Sequence, residues 1–391
     1  MKVFLLNRLR VRLGLLAVVF APIFCVPNLA VAQGLQWMHM VSPGAGWVAS
    51  SVSVFWTTDN GQHWKDITPP RAVAGESVAS VFFLNASTGW ALLTHYEMPQ
   101  PRFDLAATQN AGSTWSVSQI HLPGDAKYPT LVTEGYLQFL DANRGWMNLS
   151  AESSSAYHSG LLLRTIDGGK NWTLPQGGPG TSGEVCFTDD RSGWILSPGG
   201  RQLWVTHDGT ATWTQVVLTA PAGTKPSKIG QYQLPLFQDK KHGFEVVRFR
   251  ALPTAMDADA QGSQLILFSS RDGGKSWTFD MTLSHLPTAN KSFASILADS
   301  ALATAYPSGN GLVLRRYLLK HGADLVAESA REASSAVLSI SFADGQRGWS
   351  LTAVDNCSIG LLPCTRLLST VNGGASWSDI TPGKKSDHSR Q

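Results

Sequence analysis

Hydroxyl and carboxylate side chains recur along this chain at a spacing that could support catalysis or metal binding. The stretch TIDGGKNW, residues 165–172, places Thr165 two positions before Asp167 and Trp172 five positions after it. Carboxylates in glycine-containing turns can ligate calcium, and carboxylates in general can act as acids or bases. An active site needs one such set of residues. This pattern, however, occurs six times in the chain.

We call the repeated pattern [ST]-x-[DN]-x-G-x-x-W the box. Asn110 and Asn372 replace the aspartate in two copies, which keeps a hydrogen-bond acceptor without the charge that a metal loop or a general acid requires. The box is therefore predicted to be a structural turn, with an Asx-type acceptor, a glycine at positive φ and a buried indole. One copy has Thr210 in place of the glycine. The acceptor positions are Asp59, Asn110, Asp167, Asp208, Asp272 and Asn372, and the tryptophans are Trp64, Trp115, Trp172, Trp213, Trp277 and Trp377.

A second pattern, apolar-x-[DNS]-x-x-x-G-W, precedes each box. Copies end at Trp47, Trp90, Trp146, Trp194, Phe244 and Trp349, and a degenerate copy ends at Thr304. Successive copies start 43 to 60 residues apart, which is typical of four-stranded propeller blades. The predicted fold is all-β, a seven-bladed β-propeller of four-stranded antiparallel blades, with each box between the third and fourth strands. Helical periodicity is expected only at residues 325–336.

The first 32 residues have the pattern of a secretory signal peptide. Basic residues precede an apolar stretch, and small residues end at Ala32. We expect cleavage after Ala32, a periplasmic or extracellular protein, one propeller over residues 33–382 and a polar, disordered tail over 383–391. Removal of the four basic residues of the signal leaves a nearly neutral chain, so nucleic acid is not an expected partner. No further membrane-spanning segment is expected, and the protein is predicted to be a monomer.

The cysteines predict one disulfide. Cys357 and Cys364 lie close together in a predicted loop of an exported protein, and we expect them to be bonded. Cys186 lies in an apolar strand and is expected to be a buried thiol. The histidines and cysteines have no zinc-binding spacing, and the Asp-Gly pairs do not form a calcium loop. No metal and no cofactor are expected.

The long irregular segments fall between the second and third strands of a blade, or between blades. Both kinds of connection are predicted to lie on one face, which we call the loop face; the opposite face, with the boxes, is the box face. Exposed aromatic residues and arginines dominate many protein interfaces. The candidate contacts on the loop face are Tyr96, Arg102, Phe103, Tyr128, Arg248 and Arg250. The alternative is that these loops vary without a functional role.

The paired repeats, with F-x-D-x-x-x-G-W before T-x-D-G-G-x-x-W, resemble those of Asp-box (BNR) repeat β-propellers. They are most similar to the photosystem II stability and assembly-factor type, and the resemblance covers residues 36–381. It implies a non-catalytic exported scaffold that binds a protein partner and assists assembly of an envelope or membrane complex. Asp-box propellers also include sialidases and other glycan hydrolases. The alternative function is therefore a carbohydrate-active propeller, either glycan-binding or hydrolytic.

The sequence gives little support to the hydrolase alternative. The R-[IV]-P signature of sialidases is missing, and the predicted innermost strands contain no arginine. A glycosidase would need two facing carboxylates. Glu76, Glu134 and Glu184 could converge at the mouth of a central channel, but they share no register and are interpreted as solvated loop acids. No catalytic residue is assigned.

Overall fold

A computed structural model describes most of the chain. The described residues are 34–97, 101–124, 131–151, 159–219, 229–250, 263–286, 293–296, 301–308, 311–318, 325–332, 337–359 and 362–383. The predicted signal peptide, Tyr128 and nearly all of the predicted tail lie outside these ranges.

The described strands form seven antiparallel sheets, numbered here in chain order. Sheet 1 contains β1 (Trp37–Ser42), β2 (Ala45–Ala49), β3 (Val54–Thr57) and β4 (Lys65–Asp66). Sheet 2 contains β5 (Ser77–Phe83), β6 (Gly89–His95), β7 (Arg102–Thr108) and β8 (Ser116–Gln119). Sheet 3 contains β9 (Leu131–Phe139), β10 (Gly145–Ala151) and β11 (Ser159–Thr165).

The remaining strands follow in the same order. Sheet 4 contains β12 (Glu184–Phe187), β13 (Gly193–Leu196), β14 (Leu203–Thr206) and β15 (Thr214–Gln215). Sheet 5 contains β16 (Ile229–Gln231), β17 (Leu236–Phe237), β18 (Gly243–Arg250), β19 (Ser263–Ser270) and β20 (Thr278–Leu286). Sheet 6 contains β21 (Phe293–Ile296), β22 (Ala301–Ser308), β23 (Gly311–Leu318) and β24 (Leu325–Glu332). Sheet 7 contains β25 (Val337–Phe342), β26 (Gly348–Ile359), β27 (Leu362–Thr370) and β28 (Ser378–Asp379).

The prediction of seven four-stranded blades is wrong. Six sheets have four strands across their width, whereas sheet 3 has three. In place of a fourth strand after the box of sheet 3, there is one bridge between Arg164 and Thr173. Pro175 and several glycines follow immediately, and neither residue type favours a strand. The fold is therefore an all-β propeller with six four-stranded blades and one three-stranded sheet.

The first strand of sheet 5 is also irregular. It is divided into β16 and β17, which both pair with β18, and residues 232–235 between them are in neither strand. Pro235 lies in this gap and has no N–H to donate to a β-ladder. The division leaves part of β18 without a neighbouring strand on the inner side of the blade.

The prediction of local helix at residues 325–336 is wrong for residues 325–332, which are the part of this segment that the structure describes. Residues Leu325–Glu332 form β24 and pair with β23 across the sheet. Local helix propensity is a weak preference, and ladder pairing in the sheet overrides it here.

Aromatic contacts join neighbouring sheets. The tryptophan at the start of a second strand stacks on a phenylalanine in the first strand of the next sheet. The ring centroids are 3.7 Å apart for Trp90 and Phe139, and 4.0 Å apart for Trp146 and Phe187. In sheets 2, 3, 4 and 7 the glycine before the tryptophan leaves room for the phenylalanine of its own sheet; a Cβ at Gly145, for example, would lie 2.6 Å from the ring of Phe139. The Gly-Trp repeat therefore belongs to the core between blades.

The ring closes where sheet 7 meets sheet 1. Met40 donates its backbone N–H to Ser341 Oγ at 3.0 Å, and the Trp64 indole N–H donates to the carbonyl of Ile380 at 2.7 Å. The Trp349 indole N–H donates to Asn60 Oδ1 at 3.0 Å. Each sheet is built from strands consecutive in the chain, so side chains and backbone groups close the ring without exchange of a strand.

Candidate functional site: the central cavity

The boxes use their polar atoms internally. The Thr165 hydroxyl donates to Asp167 Oδ1 at 2.8 Å and accepts from the N–H of Gly169 at 2.9 Å. Asp167 Oδ1 also accepts from the N–H of Asn171 at 2.9 Å. In the other five copies the corresponding backbone N–H also donates to the Thr or Ser hydroxyl, at donor–acceptor distances of 2.8 to 3.1 Å. The box oxygens are committed to turn geometry and are not free to bind a ligand.

Hydrogen bonds also set the ionisation of the box aspartates. The hydroxyl and the N–H of Thr212 both donate to Asp208 and lower its pKa to about 2. Burial acts to raise the pKa of Asp167, but bonds from the backbone and side chain of Asn171 outweigh it and leave that pKa lowered. A carboxyl that stays ionised in this way is a structural acceptor, not a general acid.

A cavity of about 740 Å³ lies at the centre of the ring. The first strands of several sheets line it, so its walls are side chains that alternate with those packed between blades. The aromatic residues Trp37, Phe82, Tyr136 and Tyr232 are part of its lining. This cavity is the concave site that the fold offers to a ligand.

His39, Glu184 and Tyr136 are titratable side chains that line the cavity. His39 and Glu184 are exposed to solvent there, but the surrounding walls displace much of the bulk water. The resulting desolvation lowers the pKa of His39 and raises the pKa of Glu184. Burial, together with the charges of Glu184 and Glu134, raises the pKa of Tyr136 to about 12. The Tyr136 phenol therefore keeps its proton and can donate a hydrogen bond to a ligand.

Two ionisable residues of β18, Arg248 and Glu245, lie next to the divided strand of sheet 5. Arg248 lines the cavity but is only 3% exposed. Glu245 is fully buried behind the strand gap, where its Oε1 accepts from the N–H of Gln233 at 3.2 Å. Its Oε2 has no hydrogen-bond partner among the described residues, and burial raises its pKa well above 4.5. Burial, with a smaller effect from Glu245, also raises the pKa of the Cys186 thiol to about 12, so Cys186 is an inert thiol.

A second acidic group is buried at the loop face of sheet 2. Glu76 is 1% exposed and accepts from the N–H of Ala72 at 2.7 Å, and Arg102 Nε donates to Asp104 Oδ2 at 2.6 Å. Burial and the adjacent Asp104 raise the pKa of Glu76. Burial opposes ionisation of Asp104 too, but its ion pair with Arg102 lowers its pKa. The expectation that Glu76 is a solvated acid is wrong, because it anchors the connection between sheets 1 and 2.

The candidate contacts of the loop face are not brought together as one exposed patch. Tyr96 is 70% exposed, whereas Phe103 is 2% exposed and belongs to the core between sheets 2 and 3. Arg102 is engaged with Asp104, and Arg248 lies in the cavity wall. The side chain of Arg250 is outside the described part of the chain, as is Tyr128. Within the described part of the chain, Tyr96 is thus the member of this set with a largely exposed side chain.

The disulfide cysteines lie in the hairpin of β26 and β27. Cys357 and Cys364 are bonded, and Cys364 is buried. Cys186 is a free thiol in β12. Within the described ranges no cluster of three His, Cys, Asp or Glu side chains could hold a metal ion. Across the same residues no helix is long and apolar enough to cross a membrane.

Sequence reasoning missed the residues that line the cavity. His39, Tyr136 and Tyr232 are not among the residues that the sequence singles out, and Glu184 is a cavity residue rather than a solvated loop acid. The available signal was position within the first strand of each blade, because residues that alternate with buried ones there face the channel. Glu184 precedes buried Val185, and Tyr136 precedes buried Leu137.

Comparisons with known proteins support the propeller fold. No protein-family model matches the chain, and no curated protein matches it. Among solved structures, YCF48 bound to D1 peptide is similar with a TM-score of 0.53 and 17% identity, covering 87% of this chain and 92% of that one. A puromycin-hydrolysing peptidase of Mycobacterium tuberculosis is similar with a TM-score of 0.51 and 12% identity, covering 90% of this chain and 54% of that one. An α-L-arabinanase of Penicillium chrysogenum has a TM-score of 0.44 and 13% identity, covering 80% and 96%. At these identities the similarity concerns the fold alone.

Proposed function

We propose that this protein is an exported, non-catalytic Asp-box propeller that binds a segment of a protein partner in its central cavity. The partner is a component of a cell-envelope or membrane complex whose assembly or stability the propeller supports. The observation that carries this proposal is the cavity itself, with aromatic walls and few charged groups. Aromatic surface with scattered polar groups suits a peptide, whose side chains and amides need both kinds of contact.

The similarity to YCF48 supports the same proposal. That protein is bound to a D1 peptide in its solved structure, and it shares the propeller fold over most of both chains. A protein-binding role for this chain is consistent with that fold. The assembly role and the envelope location rest on the sequence resemblance and on the predicted signal peptide.

The alternative proposal is a carbohydrate-active propeller. A two-carboxylate hydrolysis needs a pair of facing acids, about 5 to 9.5 Å apart. Among the described lining residues, Glu184 is the one carboxylate, and neither buried Glu76 nor buried Glu245 lines the cavity. The described cavity therefore favours binding over hydrolysis.

Partner capture tests the proposed function. The mature chain is cross-linked to its host's envelope fraction and compared with Ser339→Trp, which adds bulk to a cavity-lining position. Lys170→Trp, at an exposed box position, is the control of equal bulk. We expect one specific protein to be lost with Ser339→Trp and kept with Lys170→Trp. Equal capture by all three chains would contradict binding in the cavity, and capture of glycans alone would favour the carbohydrate alternative.

Export is tested by N-terminal sequencing of the protein from host fractions. We expect a mature chain that begins at Gln33 in the periplasmic or extracellular fraction. An intact Met1 in the cytoplasm would contradict it.

A further inference from the structure

The charged group that a ligand can reach in the cavity is Glu184. Its side chain is exposed at the start of β12, and no described residue donates a hydrogen bond or forms an ion pair with it. The other charged lining residue, Arg248, is 3% exposed and lies within the wall of sheet 5. A ligand that enters the cavity therefore meets an uncompensated carboxylate before it meets an arginine.

The surroundings of Glu184 add to this negative character. Tyr136 lies in the neighbouring sheet, and the charges of both Glu184 and Glu134 help to raise its pKa to about 12. Both carboxylates are therefore close enough to Tyr136 to influence its ionisation, although only Glu184 lines the cavity. Desolvation by the cavity walls raises the pKa of Glu184 itself, so a cationic ligand that pairs with it would favour its ionised form.

A second acceptor lies in the wall on the other side of Glu184. Gln231 lines the cavity and donates its Nε2 to the carbonyl of Gly199 at 3.0 Å, while its Oε1 has no hydrogen-bond partner in the described chain. An acceptor without a donor suits a ligand that carries N–H groups. The rings of Tyr136 and Tyr232 flank this region and can also contact a cation through their faces.

We infer that the cavity recognises a positively charged group of a peptide, either an ammonium or a guanidinium. This group pairs with Glu184, between Tyr136 on one side and Gln231 on the other. This inference rests on the proposed function and names the chemistry of the bound segment. The charge can come from a lysine side chain, an arginine side chain or a free amino terminus. Each provides several N–H donors on a compact cation.

Binding of short peptides to the purified mature protein tests the inference. The probes are Ac-Gly-Gly-X-Gly-Gly-NH2, with X as lysine, arginine, norleucine or glutamate, and an unacetylated norleucine peptide that carries a free amino terminus. We expect at least one cationic peptide to bind about ten-fold more tightly than the acetylated norleucine peptide, equivalent to about 1.4 kcal/mol. Which cationic probe binds best identifies the source of the charge.

Two variants locate the effect. Glu184→Gln is isosteric. It should reduce the affinity for the cationic peptide to within about two-fold of the affinity for the acetylated norleucine peptide. Glu97→Gln, at an exposed acid of the loop face outside the cavity, should leave the preference unchanged. Near-identical thermal unfolding of the two variants would exclude a folding defect.

Three results would overturn the inference. They are tightest binding of the glutamate peptide, no preference for cationic over neutral peptides, and a cationic preference that survives in Glu184→Gln. Partner capture that depends on Ser339 would still support the proposed function in each case. Loss of that dependence, with the peptide preference intact, would instead reject the proposed function and keep the cation site.

Discussion

At the scale of single residues, the box tolerates aspartate or asparagine because the residue four positions later adapts. The Thr212 hydroxyl donates to Asp208 Oδ2 at 2.6 Å, whereas the Thr114 hydroxyl accepts from Asn110 Nδ2 at 2.8 Å. A hydroxyl can be donor or acceptor, so both pairs are satisfied. The exchange of acid for amide in this turn changes charge but not geometry.

This equivalence predicts a specific effect of pH. The pKa of Asp208 is lowered to about 2 from 3.8, so its contribution to stability is complete above 3.8 and is lost as pH falls through about 2. Asp208→Asn should leave the melting temperature at pH 7 nearly unchanged and flatten its decline between pH 4 and 2. Asn110→Asp should have the opposite effect on the slope. Unchanged slopes measured by thermal melts in both variants would contradict this account.

The second box glycine is required by backbone geometry and by packing. Gly169 has φ of 92°, and a Cβ there would lie 2.1 Å from Leu105 Cδ2 in sheet 2. Gly180 also has positive φ, at 67°, but a Cβ there would meet no atom within 4 Å. Gly169→Ala should therefore cost about 3 kcal/mol and Gly180→Ala about 1 kcal/mol in free energy of unfolding. Chemical denaturation checks both values, and equal losses would show that packing against Leu105 contributes nothing.

The residue scale also shows where sequence reasoning succeeds. The box could be predicted because the side-chain bonds of Thr165 and Asp167 that shape the turn lie within the eight residues from Thr165 to Trp172. The environment of Glu76 could not be predicted in this way, because it depends on Arg102 and Asp104, which are supplied by another strand. To predict that Glu184 lines the cavity, one needs both its position in the strand and the identity of the residues on the opposite wall. Local spacing defines turns, whereas burial and charge pairing depend on tertiary contacts.

At the scale of strands, sheets 3 and 5 both depart from the repeated blade, and sheet 5 does so in its divided first strand. Glu245 lies on β18 behind the gap, fully buried and with one oxygen unpaired among described groups. The gap could be anticipated from Pro235, since proline removes a ladder donor, but the burial of Glu245 behind it could not. Likewise, the reduction of sheet 3 to three strands follows from Pro175 and its neighbouring glycines, which the repeat pattern does not include.

The buried Glu245 predicts destabilisation as pH rises. Its pKa is raised well above 4.5, so the folded protein holds a proton that the unfolded chain releases near 4.5. Stability from this carboxyl is therefore present below pH 4.5 and is lost as pH rises toward the folded pKa. Glu245→Gln keeps the acceptor for Gln233 and removes the ionisation, so it should raise the melting temperature at pH 7 and less so at pH 4. Glu134→Gln, at an exposed acid, is the control, and an equal gain in both variants would contradict the argument.

At the scale of the whole molecule, the ring depends on contacts between its first and last sheets. Trp349 is fully buried and bonds to Asn60 across this seam, as Trp90 bonds to the carbonyl of Gly168 between sheets 2 and 3 at 3.2 Å. Phe244 occupies the corresponding position in sheet 5, so phenylalanine is compatible with the blade geometry. Tryptophan can therefore be changed to phenylalanine at either of two contacts between sheets: Trp349 between sheets 7 and 1, or Trp90 between sheets 2 and 3.

Trp349→Phe should open the ring where it closes. The lost hydrogen bond and the smaller ring together should cost about 1–3 kcal/mol in free energy of unfolding. Hydrogen exchange should rise in sheets 1 and 7 for Trp349→Phe, and in sheets 2 and 3 for Trp90→Phe. Identical exchange patterns in the two variants would indicate that the ring opens as one unit and not at the altered seam.

The construction of every sheet from consecutive strands has a consequence for how the chain reaches its native state. Strand pairing within a sheet joins neighbours in sequence, so each blade can form early with small loss of chain entropy. The bond between Met40 and Ser341 joins residues 301 positions apart, so it can form only after the intervening blades exist. During synthesis or translocation, the Trp64 edge of sheet 1 must therefore wait, without its partner, until the last blade emerges. That interval is when the chain is most exposed to aggregation, and when a chaperone that covers an apolar blade edge would have its greatest effect.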